Sequence, residues 1–143
     1  MIKHVWSVLC RSASFDTQTN SVSLLNTIEA ITVLSDLDAT HPIIVQAELV
    51  SLWQREQVDT SISGRMRLYV TDPNGTRAEA ISLAIDLNQS PFHRTRINIP
   101  GLPISAYGMY YFNVEYQVSE NPTWSLAASI PLLVLAQEPQ PNS

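Results

Sequence analysis

Residue types that commonly carry chemistry are few in this chain, and their spacing forms no known catalytic or metal-binding pattern. The histidines are His4, His41 and His93, and the single cysteine is Cys10. A structural zinc site needs several thiolate or imidazole ligands at close spacing, and the chain has neither a His-x-x-x-His nor a Cys-x-x-Cys pair. Cys10 alternates with Trp6 and Val8, which is typical of a small buried core residue and not of a nucleophile. We therefore predict no metal ion and no cofactor.

Serine and aspartate side chains offer weaker candidates. No serine lies in a Gly-x-Ser-x-Gly sequence, and a Ser/His/Asp triad assembled in space would be recognised only by its geometry. Asp36, Asp38 and Asp59 fall in predicted loops, but a Ca²⁺ loop needs more oxygen ligands at tighter spacing, so we expect solvated loops. We therefore predict that the protein is not an enzyme, and keep a hydrolase with a cryptic site as an alternative.

Two pairs of arginines are more informative, because both alternate on the outward side of a predicted strand. They are Arg65 with Arg67 and Arg94 with Arg96. A continuous basic stripe would bind anions or nucleic acid, but the net charge of −5 argues against a nucleic-acid partner. We expect instead that these arginines pair with acids on neighbouring strands and cover aromatic rings.

Arginine and aromatic side chains together define a candidate interaction face. Its members are Arg65, Arg67, Tyr69, Met109 and Tyr111. Arginine, tyrosine and methionine are enriched in protein interfaces, so we predict that this face binds a protein partner or a second copy of the chain. A solvated sheet face without a binding role is the competing interpretation.

The aromatic rings also allow a different kind of site, for a small molecule or a carbohydrate. The rings concerned are Tyr69, Tyr107, Tyr111 and Trp124. Such a site would require a concave pocket lined by those rings, whereas a flat sheet face at the same positions would exclude it.

The elements that must position these residues are strands, because apolar and polar residues alternate with period two. The pattern is clearest over residues 62–71, and the Asp-Pro-Asn-Gly sequence at 72–75 then predicts a hairpin turn. The predicted strands are residues 4–12, 21–34, 43–53, 62–71, 76–87, 92–99, 108–118 and 125–135.

Prolines mark two further features. The Pro-Gly-Leu-Pro sequence at residues 100–103 predicts a corner at which the chain crosses from one sheet to another, since neither proline can donate to a strand ladder. Pro131 lies inside the last predicted strand, so we expect an edge or a bulge there.

Length and composition limit the class of protein. The chain has 143 residues, of which 45% are hydrophobic and 15% charged, and this suits one domain over residues 1–136 with a flexible polar tail over 137–143. One cysteine excludes a disulfide-stapled secreted module. The sequence shows neither a signal peptide nor the ~20 apolar residues of a membrane span, so we predict a cytoplasmic protein that does not bind membranes.

Three segments resemble a known type of domain. Residues 101–114 place Gly-Met-Tyr-Tyr-Phe-Asn-Val after a proline-containing corner, and this resembles the corner and penultimate strand of fibronectin type III-like and bacterial immunoglobulin-like domains. With the Ser-Leu-Leu-Asn sequence at residues 23–26 and the hairpin turn at 72–75, the whole chain resembles a family of small uncharacterised bacterial proteins with one such domain.

The resemblance implies an antiparallel immunoglobulin-like or fibronectin III-like β-sandwich of 7–8 strands, and it implies no activity. An eight-stranded up-and-down barrel is the alternative, and the corner at 100–103 favours the sandwich. In such a sandwich the two arginine pairs fall in different sheets. Arg65 and Arg67 would neighbour the strand that carries Met109, Tyr111, Asn113 and Glu115, and Arg94 and Arg96 would neighbour Gln46 and Glu48. The fold, the low fraction of charged residues and the lack of a catalytic pattern together lead us to expect a non-enzymatic protein-binding or assembly module.

Overall fold

The computed structural model describes residues 1–33, 37, 42–78 and 81–137, and within these ranges the chain forms nine strands in two sheets. One sheet has four strands in the order β2-β1-β4-β7, and the other has five in the order β3-β9-β8-β5-β6. The strands are β1 (Ile2–Asp16), β2 (Ser21–Thr27), β3 (Ala30–Val33), β4 (Ile43–Arg55), β5 (Ile62–Thr71), β6 (Ile81–Leu87), β7 (Phe92–Ile104), β8 (Gly108–Val118) and β9 (Ser125–Ala136).

The hydrophobic core lies between the two sheets, which confirms the predicted all-β sandwich and excludes the barrel. Trp53 on β4 is fully buried, and its indole N–H donates to the Thr95 hydroxyl on β7 at 2.9 Å. Met66 and Leu68 on β5 and Phe112 on β8 face it from the other sheet, as the alternation predicts. Burial of these large side chains supplies the main driving force for folding.

The predicted strand over residues 21–34 is wrong in one respect, because the chain forms two short strands there and changes sheet between them. β2 pairs with β1, whereas β3 pairs in parallel with β9, so the sandwich is not wholly antiparallel. The crossing is held by backbone hydrogen bonds: the Ile28 N–H donates to the Leu9 carbonyl at 3.0 Å, and the Leu133 N–H donates to the Glu29 carbonyl at 2.9 Å. Just before the crossing Asn26 has a positive φ of 57°, a conformation that asparagine tolerates better than most residues.

The hairpin turn predicted at residues 72–75 is confirmed. The Gly75 N–H donates to the Asp72 carbonyl at 2.9 Å, and Gly75 has a φ of 85°, which favours glycine. The Asp72 carboxylate accepts the N–H groups of Asn74 at 2.9 Å and Thr76 at 2.8 Å. The turn is thus specified by local side-chain chemistry, which explains why the sequence revealed it.

The corner predicted at residues 100–103 is wrong. β7 continues through both prolines to Ile104 and stays paired with β4, with Pro103 opposite Ile44. The prolines are tolerated because β7 is an edge strand, whose outer side needs no ladder donor. The chain crosses to the other sheet after Ile104, where the Tyr110 hydroxyl donates to the Ala106 carbonyl at 3.0 Å.

The edge or bulge predicted at Pro131 is present as an edge. It lies opposite Tyr111 on one side of β9, and on the other side β3 begins its pairing only at Leu133. Within the described residues, β9 therefore has an open edge at Pro131.

The face assigned to the first strand is corrected by the structure. Trp6, Val8 and Cys10 do share a face, but it is the outer face of the four-stranded sheet, because Cys10 lies opposite Glu48 whereas Leu9 lies opposite the core residue Leu49. A register irregularity between His4 and Trp6 shifts the phase of the strand. Cys10 is fully buried nevertheless, because other side chains cover that outer face.

Several predictions fall on residues that the structure does not describe. Asp36, Asp38 and His41, and residues 138–143 of the predicted tail, lie outside the described ranges. In the part of the chain that is described, no helix is long and apolar enough to span a membrane.

Candidate functional site

All five members of the predicted interaction face lie on the outer side of the five-stranded sheet. Arg65, Arg67 and Tyr69 come from β5, and Met109 and Tyr111 come from its neighbour β8. We call these five residues the Tyr111 face. The register corrects one detail: Arg65 lies opposite Gln117 and Arg67 opposite Glu115, so neither lies directly opposite Met109 or Tyr111.

Of the two arginines predicted on this sheet, Arg67 pairs with an acid and an aromatic ring as expected, whereas Arg65 donates to the Ser82 hydroxyl. Arg67 forms an ion pair with Glu115 at 2.8 Å, and its guanidinium lies 4.2 Å from the centre of the Trp124 ring. Arg77 stacks on Tyr69 with its guanidinium 3.7 Å from the ring centre. Arg67 is held in one position, because its guanidinium has both an aromatic and an acidic partner.

Asn113 is a member of this surface that the sequence did not reveal. It lies between Phe112 and Val114 and faces outward, yet it is only 8% exposed. Its amide donates to the Thr71 hydroxyl at 3.0 Å, and its carbonyl accepts the Ser129 hydroxyl at 2.8 Å. One amide therefore joins β5, β8 and β9 beneath the Tyr111 face.

The most exposed members of this face are Tyr111 and Arg65, and hydrogen bonds and ion pairs hold several of the side chains around them. Tyr111 is 42% exposed, Met109 is half-buried, and Arg65 is exposed while its Nε donates to the Ser82 hydroxyl at 3.1 Å. Such a surface can dock against a partner without much loss of side-chain entropy.

The aromatic rings proposed for carbohydrate binding do not come together around a pocket. Four cavities are prominent on the surface formed by residues 1–33, 42–78 and 81–137. None of the four is lined by Tyr69, Tyr107, Tyr111 or Trp124. These four cavities therefore give the carbohydrate-binding alternative no support.

The outer face of the four-stranded sheet is built differently, because a hairpin lies across it. We call residues 11–27, which contain the end of β1 and all of β2, the overlying hairpin. The Ala13 N–H of this hairpin donates to the Glu48 carboxylate on β4 at 2.7 Å, and the ring of Phe15 lies 5.3 Å from the Arg96 guanidinium on β7. Cys10 and Val50 are fully buried on this outer face.

The predicted pairing of Arg96 with Glu48 is confirmed and is the central polar contact under the hairpin. The two groups are 2.5 Å apart, and the Glu48 carboxylate is only 10% exposed. The Arg96 hydrogen bond, together with the Ala13 N–H, lowers the pKa of Glu48 against the opposing effect of burial. Burial, followed by the nearby Glu48 charge, raises the pKa of Cys10, so its reactive thiolate form is disfavoured.

Next to this ion pair lies an open groove of about 630 Å³ between the tip of the overlying hairpin and the ends of β4 and β7. We call it the Arg94 groove. Its lining residues are Phe15, Asn20, Leu52, Ser90, Phe92, His93 and Arg94. Phe92 is half-exposed, and the Arg94 Nε–H is buried without an acceptor among the described residues.

A chain of hydrogen bonds joins a histidine to two serines, a combination that catalysis sometimes uses. His4 Nε2 and the Ser7 hydroxyl are 2.7 Å apart, and the Ser7 and Ser51 hydroxyls are 2.6 Å apart. Burial lowers the pKa of His4, and its ring packs edge-on against Trp53 at 5.1 Å. Among the described residues no carboxylate orients His4, and Ser51 is fully buried. These hydrogen bonds therefore satisfy buried hydroxyl groups, and they give the hydrolase alternative no support.

Metal ligands are not gathered anywhere in the described ranges, where no group of three or more histidine, cysteine, aspartate or glutamate side chains could hold an ion.

Comparison with known proteins finds a solved structure that is similar to this chain, at low sequence identity. No protein-family model matches the chain, and no curated protein matches it significantly. Among solved structures, the chain is similar to an immunoglobulin-like protein from Pseudomonas aeruginosa, with 10% sequence identity and a TM-score of 0.39 over 94% of this chain and 96% of that one. A TM-score this low supports no conclusion about family or function, so the sandwich fold rests on the two sheets themselves.

Proposed function

We propose that this protein is a non-enzymatic, cytoplasmic binding module that self-associates through the Tyr111 face. The observation that carries the proposal is the exposed Tyr111 ring, 42% accessible, on a surface whose neighbouring side chains are already fixed. Tyrosine and arginine dominate the energetics of protein interfaces, and a preordered surface loses less entropy on binding.

The charges of this face suit a second copy of the chain. Arg67 is neutralised by Glu115, so this cation would not meet its own like uncompensated in a symmetric dimer. In a two-fold interface the same patch occurs on both sides, so the two Tyr111 rings would lie near the symmetry axis. Arg65, which lies further along β5, would stay hydrated at the rim.

Sedimentation velocity over a range of protein concentrations tests this proposal. We expect the unmodified protein to form a concentration-dependent dimer and Tyr111→Glu to remain monomeric, because the substitution buries two carboxylates at the axis. Ser23→Glu is the matched control, since Ser23 is exposed on β2 of the other sheet and receives the same charge. A strictly monomeric unmodified protein at the highest concentration would overturn self-association, as would a Tyr111→Glu variant that dimerises normally.

A further inference from the structure

We infer that the Arg94 groove binds an extended peptide segment of a partner protein in which a carboxylate lies next to an aromatic or aliphatic side chain. The groove is on the opposite sheet from the Tyr111 face, so this inference does not depend on self-association. It rests on the shape of the groove, on its apolar walls and on one arginine that has no ion-pair partner among the described residues.

The walls of the groove are apolar and come from two different elements. Phe15 of the overlying hairpin forms one side, and Leu52 on β4 and Phe92 on β7 form the other. Phe92 is 50% exposed, so its ring is accessible to a ligand in the groove. Asn20 and Ser90 also line the groove and can hydrogen-bond a peptide backbone.

The charge of the groove is uncompensated. Arg94 and Arg96 alternate on the same face of β7, and Arg96 is paired with Glu48. Arg94 has no ion pair among the described residues, and the lining of the groove contains neither aspartate nor glutamate. The Arg94 Nε–H is also buried without an acceptor.

An arginine in these surroundings favours an anionic ligand group. A guanidinium beside apolar rings is poorly hydrated and gains more from a carboxylate than one in open solvent. Because the net charge of the protein is −5, a diffuse electrostatic field cannot attract an acidic partner. Recognition must therefore come from short-range contact with Arg94 itself.

The openness of the groove favours a peptide over a free small molecule. Small-molecule sites enclose most of their ligand, whereas this space lies on the surface between a hairpin tip and two strand ends. An extended chain can place one apolar side chain between the phenylalanine rings and the next residue's carboxylate at Arg94. The remainder of such a segment would run out into solvent.

Chemical-shift titration of the ¹⁵N-labelled full chain tests the inference with peptides of defined chemistry. The probes are hexapeptides, acetylated and amidated at their ends, with Phe-Asp, Trp-Glu or Leu-Asp at the centre, and matched peptides with Asn or Gln in place of the acid. We expect the acidic peptides to shift resonances around Phe15, Phe92 and Arg94. We expect Arg94→Gln to weaken their binding about tenfold, the loss typical of one charge-assisted hydrogen bond.

Two further variants separate recognition from folding. Arg11→Gln removes an exposed arginine that does not line the groove and should leave the affinity unchanged. Phe92→Ala removes an apolar wall and should weaken binding while Arg94 stays in place. The inference would be overturned by equal binding of the amide peptides, by unchanged affinity in Arg94→Gln, or by no binding of any acidic peptide up to about 5 mM. Phenylacetate binding as tightly as the peptides would assign the groove to small acids and overturn the peptide ligand.

Discussion

The outer faces of the two sheets carry the same motif, two arginines separated by one residue, but the arginines have different partners on the two faces. On the five-stranded sheet, Arg65 bonds to Ser82 and Arg67 pairs with Glu115. On the four-stranded sheet, Arg96 pairs with Glu48 whereas Arg94 has no partner among the described residues. The first face is satisfied internally, and the second keeps one cation available.

The difference follows from the position of each strand in its sheet. β5 has β6 on one side and β8 on the other, so its outward side chains meet cross-strand partners from both directions. β7 is an edge strand with β4 as its only paired neighbour, and Arg94 lies opposite the apolar Leu52. An edge position halves the number of partners that a charged side chain can reach.

The number of donors is the second difference. The Glu48 carboxylate accepts from Arg96 and from the Ala13 N–H of the overlying hairpin, whereas Glu115 is reached by Arg67 alone among the described residues. Both carboxylates are largely buried, with side chains 10% and 15% exposed. We expect Glu48→Gln to lower the free energy of unfolding by about 2–3 kcal/mol, because Arg96 and the Ala13 N–H both lose a charged acceptor. Glu115→Gln should cost less, about 1 kcal/mol, because only one donor loses its charged acceptor. Urea unfolding of both variants measures this contrast, and equal costs would show that the hairpin adds nothing to the Glu48 pair.

Lowering the pH should also weaken the Glu48 contacts, with a smaller effect on stability than the Glu48→Gln substitution. The pKa of Glu48 is lower in the folded protein than its ordinary value of 4.5, mainly because of Arg96. A depressed carboxylate pKa stabilises the folded state above pH 4.5, and that contribution is lost as the pH falls through the folded-state pKa. As the pH is lowered from 6 to 3, the midpoint temperature of thermal unfolding should therefore fall less steeply in Glu48→Gln than in the unmodified protein. Parallel curves would contradict an acid-sensitive hairpin contact.

The smallest effect is expected at the stacked ring of the five-stranded sheet. Arg77 covers Tyr69 but is itself exposed, so Arg77→Ala should lower the free energy of unfolding by only about 0.5 kcal/mol. Arg77→Lys, which keeps the charge but not the planar group, should recover part of the loss. A loss above about 2 kcal/mol would mean that this face depends on single contacts as strongly as the Glu48 side does.

The parts of the fold that could be predicted are those fixed by local chemistry. Alternation over β5 placed Met66 and Leu68 in the core, and Asp72 specified its own turn through its carboxylate. The pairing of Arg96 with Glu48 was also predictable once the strands were assigned to sheets. In each case the pattern acts over a few residues or across one strand pair.

The parts that could not be predicted depend on contacts between distant segments. A single irregularity between His4 and Trp6 reverses which side of β1 faces the core, and alternation carries no trace of it. Pro103 looks like a strand terminator, but it is compatible with a strand that happens to lie at an edge. Asn113 has the sequence pattern of a solvent-exposed residue and becomes buried only because Thr71 and Ser129 close over it.

The same limit applies to the candidate sites. The Tyr111 face could be proposed because its residue types are those of interfaces, and the structure places them on one side of one sheet. The Arg94 groove could not, because it exists only where the overlying hairpin meets the ends of two other strands. The lack of an acidic partner near Arg94 among the described residues depends on the three-dimensional arrangement of the strands, so the positions of residues along the sequence cannot reveal it.

The parallel pairing of β3 with β9 has a consequence for synthesis on the ribosome. Ile31 pairs with Val134, so a strand made early must wait for one made roughly a hundred residues later. β1 also waits, because its partner β4 begins at Ile43. Contacts between distant parts of a chain slow folding, and unpaired strand edges attract other chains in the meantime. We expect the nascent chain to depend on a holding chaperone, or on rapid elongation, until β9 has emerged.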